Sequence, residues 1–162
     1  MENEWMEKLA IQELLARYAH AIDDLKPEVW VRCFTSDGIF QLGSRVLRGH
    51  DALRAYGEIH AREMRYRHMI GNFLYEVLGD EATGQSTFLA TLATRSGFKF
   101  FGQGRYRDKL VKQNGKWLIA HRCVDVDRLA SEPNKIVGLL DPDVAPLLQP
   151  LVDACARLGE KV

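Results

Sequence analysis

The chain has 162 residues, 46% of them apolar and 27% charged, the size and balance of one ordinary globular domain. Its 22 basic and 22 acidic residues cancel, so no net field draws it to nucleic acid or to an anionic membrane surface. Cys33, Cys123 and Cys155 are an odd, widely spaced set that reads as free thiols rather than a disulfide frame or zinc site, and with a charged start and no run of about 20 apolar residues the expected location is cytoplasmic, with no membrane span.

Between about residues 4 and 25, Ile11, Leu14, Leu15, Tyr18, Ile22 and Leu25 fall on one stripe of a helix. A short helix restarts at "KPEVWVRCF", where Pro27 sits in a first turn that does not need its missing N–H. "TSDGIFQLG" joins turn residues to a short strand, and "GHDALRAYGEIHAREM" predicts a third helix with Asp51 near its positive end. Four long β-rich runs follow: "RYRHMIGNFLYEVLG", "EATGQSTFLATLATRSG", "FKFFGQGRYRDKLVKQ" and "KWLIAHRCVDVDR". Turn signals separate them, and Asn114-Gly115 in particular predicts a hairpin. Four strands joined by short turns make an antiparallel meander, so the expected class is α+β with the helices ahead of the sheet. The tail "DPDVAPLLQPLVDACARLG" predicts an amphipathic closing helix that Pro146 and Pro150 confine to its later residues. Such a helix packs on the sheet, joins a dimer interface, or lids a pocket.

Two adjacent acids, Asp23 and Asp24, end the first helix, where negative charge opposes the dipole. At 100° per residue from Ile11, Asp24 falls at about 220°, on the polar face with Glu13, Arg17 and His20. Asp23 falls at about 120°, beside Ala16 and Ala19, which are small enough for another element to come close. Asp23 therefore belongs at the rim of the core, either satisfying backbone N–H groups at the turn or serving a site. Tyr18 lies on the apolar stripe itself. Strand alternation puts His68, Ile70, Asn72 and Leu74 on one face, where His68 needs a hydrogen-bond partner and Asn72 can help. Leu118, Ala120, Arg122, Val124 and Val126 share another face, so Arg122 must meet an acid or a wet cavity. "GQG" at 102–104 lacks the third glycine and following helix of a dinucleotide loop and reads as a strand bend. The five histidines show no metal-ligand spacing, and no G-x-S-x-G elbow is present, so neither metal nor cofactor is expected.

The order of elements, with "IQELLARYAHAID", "CFTSDGIF", "RHMIGN", "GRYRDKL" and "NGKWLIAHRCVDVD", resembles the SnoaL-like branch of the nuclear-transport-factor-2-like superfamily over residues from about 6 to 128. The resemblance implies a cystatin-like cone: a strongly curved, mainly antiparallel sheet wrapped around N-terminal helices, with a C-terminal helix. Residues 1–128 would form the family domain and 129–162 an extension of the same domain. Homo-oligomers, dimers or trimers, are implied as well. Dehydratases and a dehydrochlorinase of the family carry an acid near the end of the first helix and a histidine on the first long strand, which correspond here to Asp23 and His68. Tyr18 and Arg122 match further site positions. The implied activity is a cofactor-independent lyase, a dehydratase-type elimination on a small apolar cyclic molecule, with Asp23 fixing the tautomer of a His68 base. Trp30, Phe34, Phe40, Tyr56, Met64 and Asn72 are the pocket candidates. The ketosteroid isomerases of this fold carry their base on the strand after "FTSDG", where this chain has Gln41 and Leu42; that departure counts against isomerisation by the same device. A non-catalytic small-molecule-binding module and a proton-transfer isomerase stay open as alternatives. The small subunit of a ring-hydroxylating dioxygenase is similar in outline, but its N-terminal acidic and aromatic signature is missing.

Overall fold

The structure, a computed structural model, describes residues 2–161. Helix α1 (Glu2–Asp23) buries the expected stripe of Ile11, Leu14, Leu15, Tyr18 and Ile22. It ends because Leu25 takes a left-handed φ of 60°, while the N–H groups of Leu25 and Lys26 turn back to the carbonyls of Ile22 and Ala21. This is the Schellman arrangement, with leucine in the position glycine usually holds. It hands the chain to α2 (Pro27–Val31), which opens on Pro27. Strands β1 (Phe34–Leu42) and β2 (Arg45–Arg48) form a hairpin, followed by α3 (Gly49–Glu63).

The four β-rich runs become β3 (Tyr66–Leu78), β4 (Glu81–Thr94), β5 (Gly97–Gln113) and β6 (Lys116–Val126), paired in antiparallel sequence. A 3-10 turn (Val137–Leu140), α4 (Ala145–Leu158) and the two-residue β7 (Glu160–Lys161) complete the chain. One open seven-stranded sheet results, in the order β3-β4-β5-β6-β1-β2-β7, with β1 parallel to β6 and its other pairings antiparallel. Register shifts at Gly71/Leu74, Ala90/Thr91 and Lys109/Leu110 bend and twist the long strands. Both β3 and β6 pack against α1.

The "GQG" stretch contributes to that curvature. Ala90 pairs with Gly102 and Thr91 with Phe100, so Phe101 is the extra residue of a bulge. Three residues on, a Cβ at Gly104 would run into the Asp125 backbone carbonyl on β6. Only glycine lets the strands approach this closely there.

The closing helix differs from the sequence expectation. It runs through both prolines, with Pro146 in its first turn and Pro150 inside. Pro146 needs no donor at that position, and Pro150 forfeits one bond, that to the residue 146 carbonyl. Leu148, Leu151, Ala154 and Cys155 are buried, with α4 packed on α3 and β2. The gain from this apolar face outweighs one absent hydrogen bond. The three cysteines are unpaired. Among the described residues no helix is long and apolar enough to cross a membrane.

Candidate active site

The end of α1 and the start of β3 bring Asp23 and His68 together. His68 Nδ1 lies 2.6 Å from Asp23 Oδ1, and the His68 backbone N–H donates to Asp23 Oδ2 at 2.7 Å. A carboxylate only accepts, so Nδ1 carries the proton of the neutral ring and Nε2 is left as the bare nitrogen. Arg67 donates to the Asp23 carbonyl at 3.1 Å and to the Asp24 carboxylate at 3.3 Å. It thus satisfies a helix C-terminal carbonyl and offsets the charge of the exposed acid. Burial of Asp23 opposes its ionisation, but the ring and backbone N–H of His68, with the charge of Arg67, outweigh it and hold the carboxyl below its ordinary range. Both adjacent acids are explained: Asp24 pairs at the surface, and Asp23 turns inward.

On its inner side His68 borders a cavity of about 90 Å³, space for a few waters or a small ligand. Of the sequence candidates, Tyr18, Trp30, Phe40 and Tyr56 line it with His68. The sheet adds Tyr66, Phe88, Phe101 and Tyr106, and α4 closes one wall with Leu148 and Leu151. Burial pushes the phenols of Tyr18, Tyr56, Tyr66 and Tyr106 above their ordinary range, so all four keep their protons at neutral pH.

The remaining candidates lie elsewhere. Arg122 stands behind the cavity wall, its Nε and Nη2 each donating at 2.8 Å to the two carboxylate oxygens of Asp108. Both side chains are fully buried. Tyr75 donates to the same carboxylate at 2.5 Å. The guanidinium lies 4.1 Å from the ring centroids of both Tyr18 and Tyr106, which meet each other edge to face at 5.9 Å. Burial opposes its charge, and Asp108 overrides that and holds it ionised. Arg122 therefore braces two cavity tyrosines from behind. Phe34 packs behind Trp30 and Tyr18, with ring centroids 5.2 and 6.0 Å away. Met64 is buried outside the cavity lining. Asn72 occupies the β3 bulge with φ 51°, its amide 3.5 Å from the Thr87 hydroxyl and turned away from His68. Gln41 Oε1 accepts from the His121 ring Nε2–H at 3.0 Å, and Gln41 Nε2 donates to the Gly43 carbonyl.

Two residues of this region carried no signal strong enough to single them out in the sequence. Asp108 follows the alternation Tyr106, Asp108, Leu110, all buried, and that parity marks it as an acid on an apolar face. His60 is an isolated histidine on α3. It is 4% exposed and lines the cavity, and burial, the main cause, pushes its pKa down to about 3. Among the described residues no group of three or more His, Cys, Asp or Glu side chains is placed to hold a metal ion.

The family described as the SnoaL-like domain matches residues 4–123. Among solved structures, a single-residue variant of Rv3472, a protein of unknown function from Mycobacterium tuberculosis, is 46% identical, with 99% of this chain and 95% of that one covered and a TM-score of 0.96. A protein of unknown function with a cystatin-like fold from Nostoc punctiforme is 29% identical, with 75% and 92% covered and a TM-score of 0.68. A proposed scytalone dehydratase from Novosphingobium aromaticivorans shares the fold at 21% identity, with 79% and 89% covered and a TM-score of 0.68. No curated protein matches the sequence. By sequence over three of its four helices and six of its strands, and by the architecture of its sheet, the chain belongs to the SnoaL-like family.

Proposed function

We propose that the protein is a cofactor-independent lyase that carries out a dehydratase-type elimination on a small, apolar, cyclic molecule. The observation that carries this reading is the two-point clamp of His68 by Asp23, at 2.6 and 2.7 Å, on the rim of an apolar cavity. A ring fixed at Nδ1 presents Nε2 as a general base without further rearrangement. Nε2 takes a proton from a carbon of the ligand, and the electron pair of that C–H bond becomes the new double bond as the neighbouring C–O bond breaks. The departing hydroxide takes the proton back from His68 and leaves as water, so the base is regenerated. A protonated phenol of the wall can donate to the oxygen as its charge develops. The provisional assignment of a relative of the same fold as a scytalone dehydratase is consistent with this class of reaction.

The test is a screen of small cyclic alcohols for loss of water, read by mass spectrometry, followed by His68→Ala and Asp23→Asn. General-base action is worth about 10²–10⁴-fold, and both variants should lose a factor of that order while keeping the wild-type fold. Wild-type rates in either variant would contradict the dyad.

A further inference from the structure

His60 is a buried titratable group that this elimination does not use. Its ring centroid lies 4.5 Å from that of Tyr66, which in turn lies 5.3 Å from His68. Its Nδ1 is buried without a hydrogen-bond partner. His50 and His121, by contrast, are both partnered. Trp30, another residue of the cavity lining, also has a buried ring nitrogen without a partner of good geometry, the Tyr18 hydroxyl being its nearest polar neighbour. Tyr56 stands between them, its ring 6.1 Å from Trp30 and 6.3 Å from His60. Buried polar atoms without partners are costly and uncommon in native cores. Two such side chains in the lining of one apolar cavity point to a group that arrives with the ligand.

We propose that His60 is a specificity-determining residue that receives an oxygen substituent of the ligand, so that the molecule in the cavity is a small ring bearing a carbonyl or hydroxyl group rather than a plain hydrocarbon. A carbonyl oxygen accepts the N–H of a neutral imidazole, and a hydroxyl can also donate to its bare nitrogen. Burial keeps the ring neutral down to about pH 3, so the contact is a neutral hydrogen bond throughout the physiological range. One aromatic ring separates His60 from His68, which sets the oxygen near the carbon that loses its proton. The inference rests on the reading of this cavity as the ligand site, and it needs no turnover.

Binding of 4-fluorophenol and 4-fluorotoluene, alike in shape and differing in the hydroxyl, tests it by fluorine NMR titration of the full chain. In a purely apolar cavity the toluene binds better, because the phenol must give up its water. With His60 as anchor the wild type should prefer the phenol by roughly tenfold. His60→Leu, which deletes an unpaired nitrogen from apolar surroundings and so leaves the fold intact, should abolish the preference. His60→Gln, which returns a polar nitrogen near the place of Nε2, should recover most of it, and His68→Ala should keep it. Equal affinities in wild type and His60→Leu would overturn the inference, as would failure of both probes to bind the wild type. A preference that survives His60→Leu but vanishes in His68→Ala would overturn it by placing the oxygen at His68. Full turnover in His68→Ala, with the phenol preference still following His60, would end the lyase reading and leave this one standing.

Discussion

Asparagine at position 108 is the substitution with the largest expected effect on stability. Asp108→Asn keeps the side-chain volume but withdraws the charge that holds Arg122 ionised, in a place where neither side chain has any exposure. The guanidinium retains its stacking on Tyr18 and Tyr106, yet one of its two 2.8 Å charge-assisted bonds now faces an amide nitrogen or must be lost. Breaking a buried ion pair from one side costs about 3–5 kcal/mol, because an uncompensated charge stays behind. In a chain of this length each kcal/mol shifts Tm by about 2–4 °C, so thermal unfolding should move down by roughly 6–20 °C, with a matching loss in urea. Replacing the whole buried set by apolar residues of similar size, Asp108→Leu with Arg122→Met and Tyr75→Phe, whose hydroxyl would otherwise lose its acceptor, should recover much of that loss, since the pair itself is worth little net. A loss under about 1 kcal/mol for Asp108→Asn would refute the description of Arg122 as a buried, paired charge.

Three further outcomes follow from the same structure. His60 is neutral in the fold down to about pH 3 and titrates near 6.5 when exposed, so the unfolded chain binds the extra proton below pH 6.5. Stability should therefore fall with falling pH by up to about 1.4 kcal/mol per unit between those values. His60→Leu should remove that slope in denaturant midpoints measured across the range, and a wild-type-minus-variant difference independent of pH would count against it. Gly104→Ala drives a Cβ into the Asp125 carbonyl and should cost about 1–3 kcal/mol in urea unfolding, whereas Gly102→Ala, whose Cβ would meet only a Val126 methyl at 3.7 Å, should cost less. The Asp23 carboxyl is held below its ordinary range, so the acid limb of any dyad-dependent activity should not be set by Asp23 until the pH falls beneath the usual carboxylate value of about 3.9; an Asp23-dependent loss centred above that value, seen in a pH–rate profile, would contradict the clamp.

Much of the fold was legible because its signals are local and repeated. The stripe from Ile11 to Ile22, Pro27 at a helix start and Asn114-Gly115 at a hairpin each point to one structure, and each forms. The inward turn of Asp23 could be read from its wheel position beside two alanines. What alternation could not carry was the curvature. At the β3 bulge, Asn72 leaves the face it shares with His68 in a regular strand. On β5 the extra residue sends Phe101 into the cavity where a regular strand would not. Strand β2 spans only four residues, too few to show a period. Asp108 and Arg122 each carried a parity that marked a charge on an apolar face, but their pairing across β5 and β6 depends on the register that the Lys109/Leu110 shift sets. His60 had no spacing partner at all, and only the cavity gives it meaning. The passage of α4 through Pro150 shows tertiary burial overriding a local breaker.

The claim at the centre is that Asp23 holds the His68 ring with its proton on Nδ1 and leaves Nε2 bare toward the cavity. Nitrogen-15 NMR of the imidazole at neutral pH measures this directly, with Asp23→Asn as the control for assignment. A proton held on Nδ1 of the His68 ring, with an Nε2 signal that moves when a small ligand enters the cavity, is the predicted result. A ring protonated on Nε2 and bare on Nδ1 would contradict it.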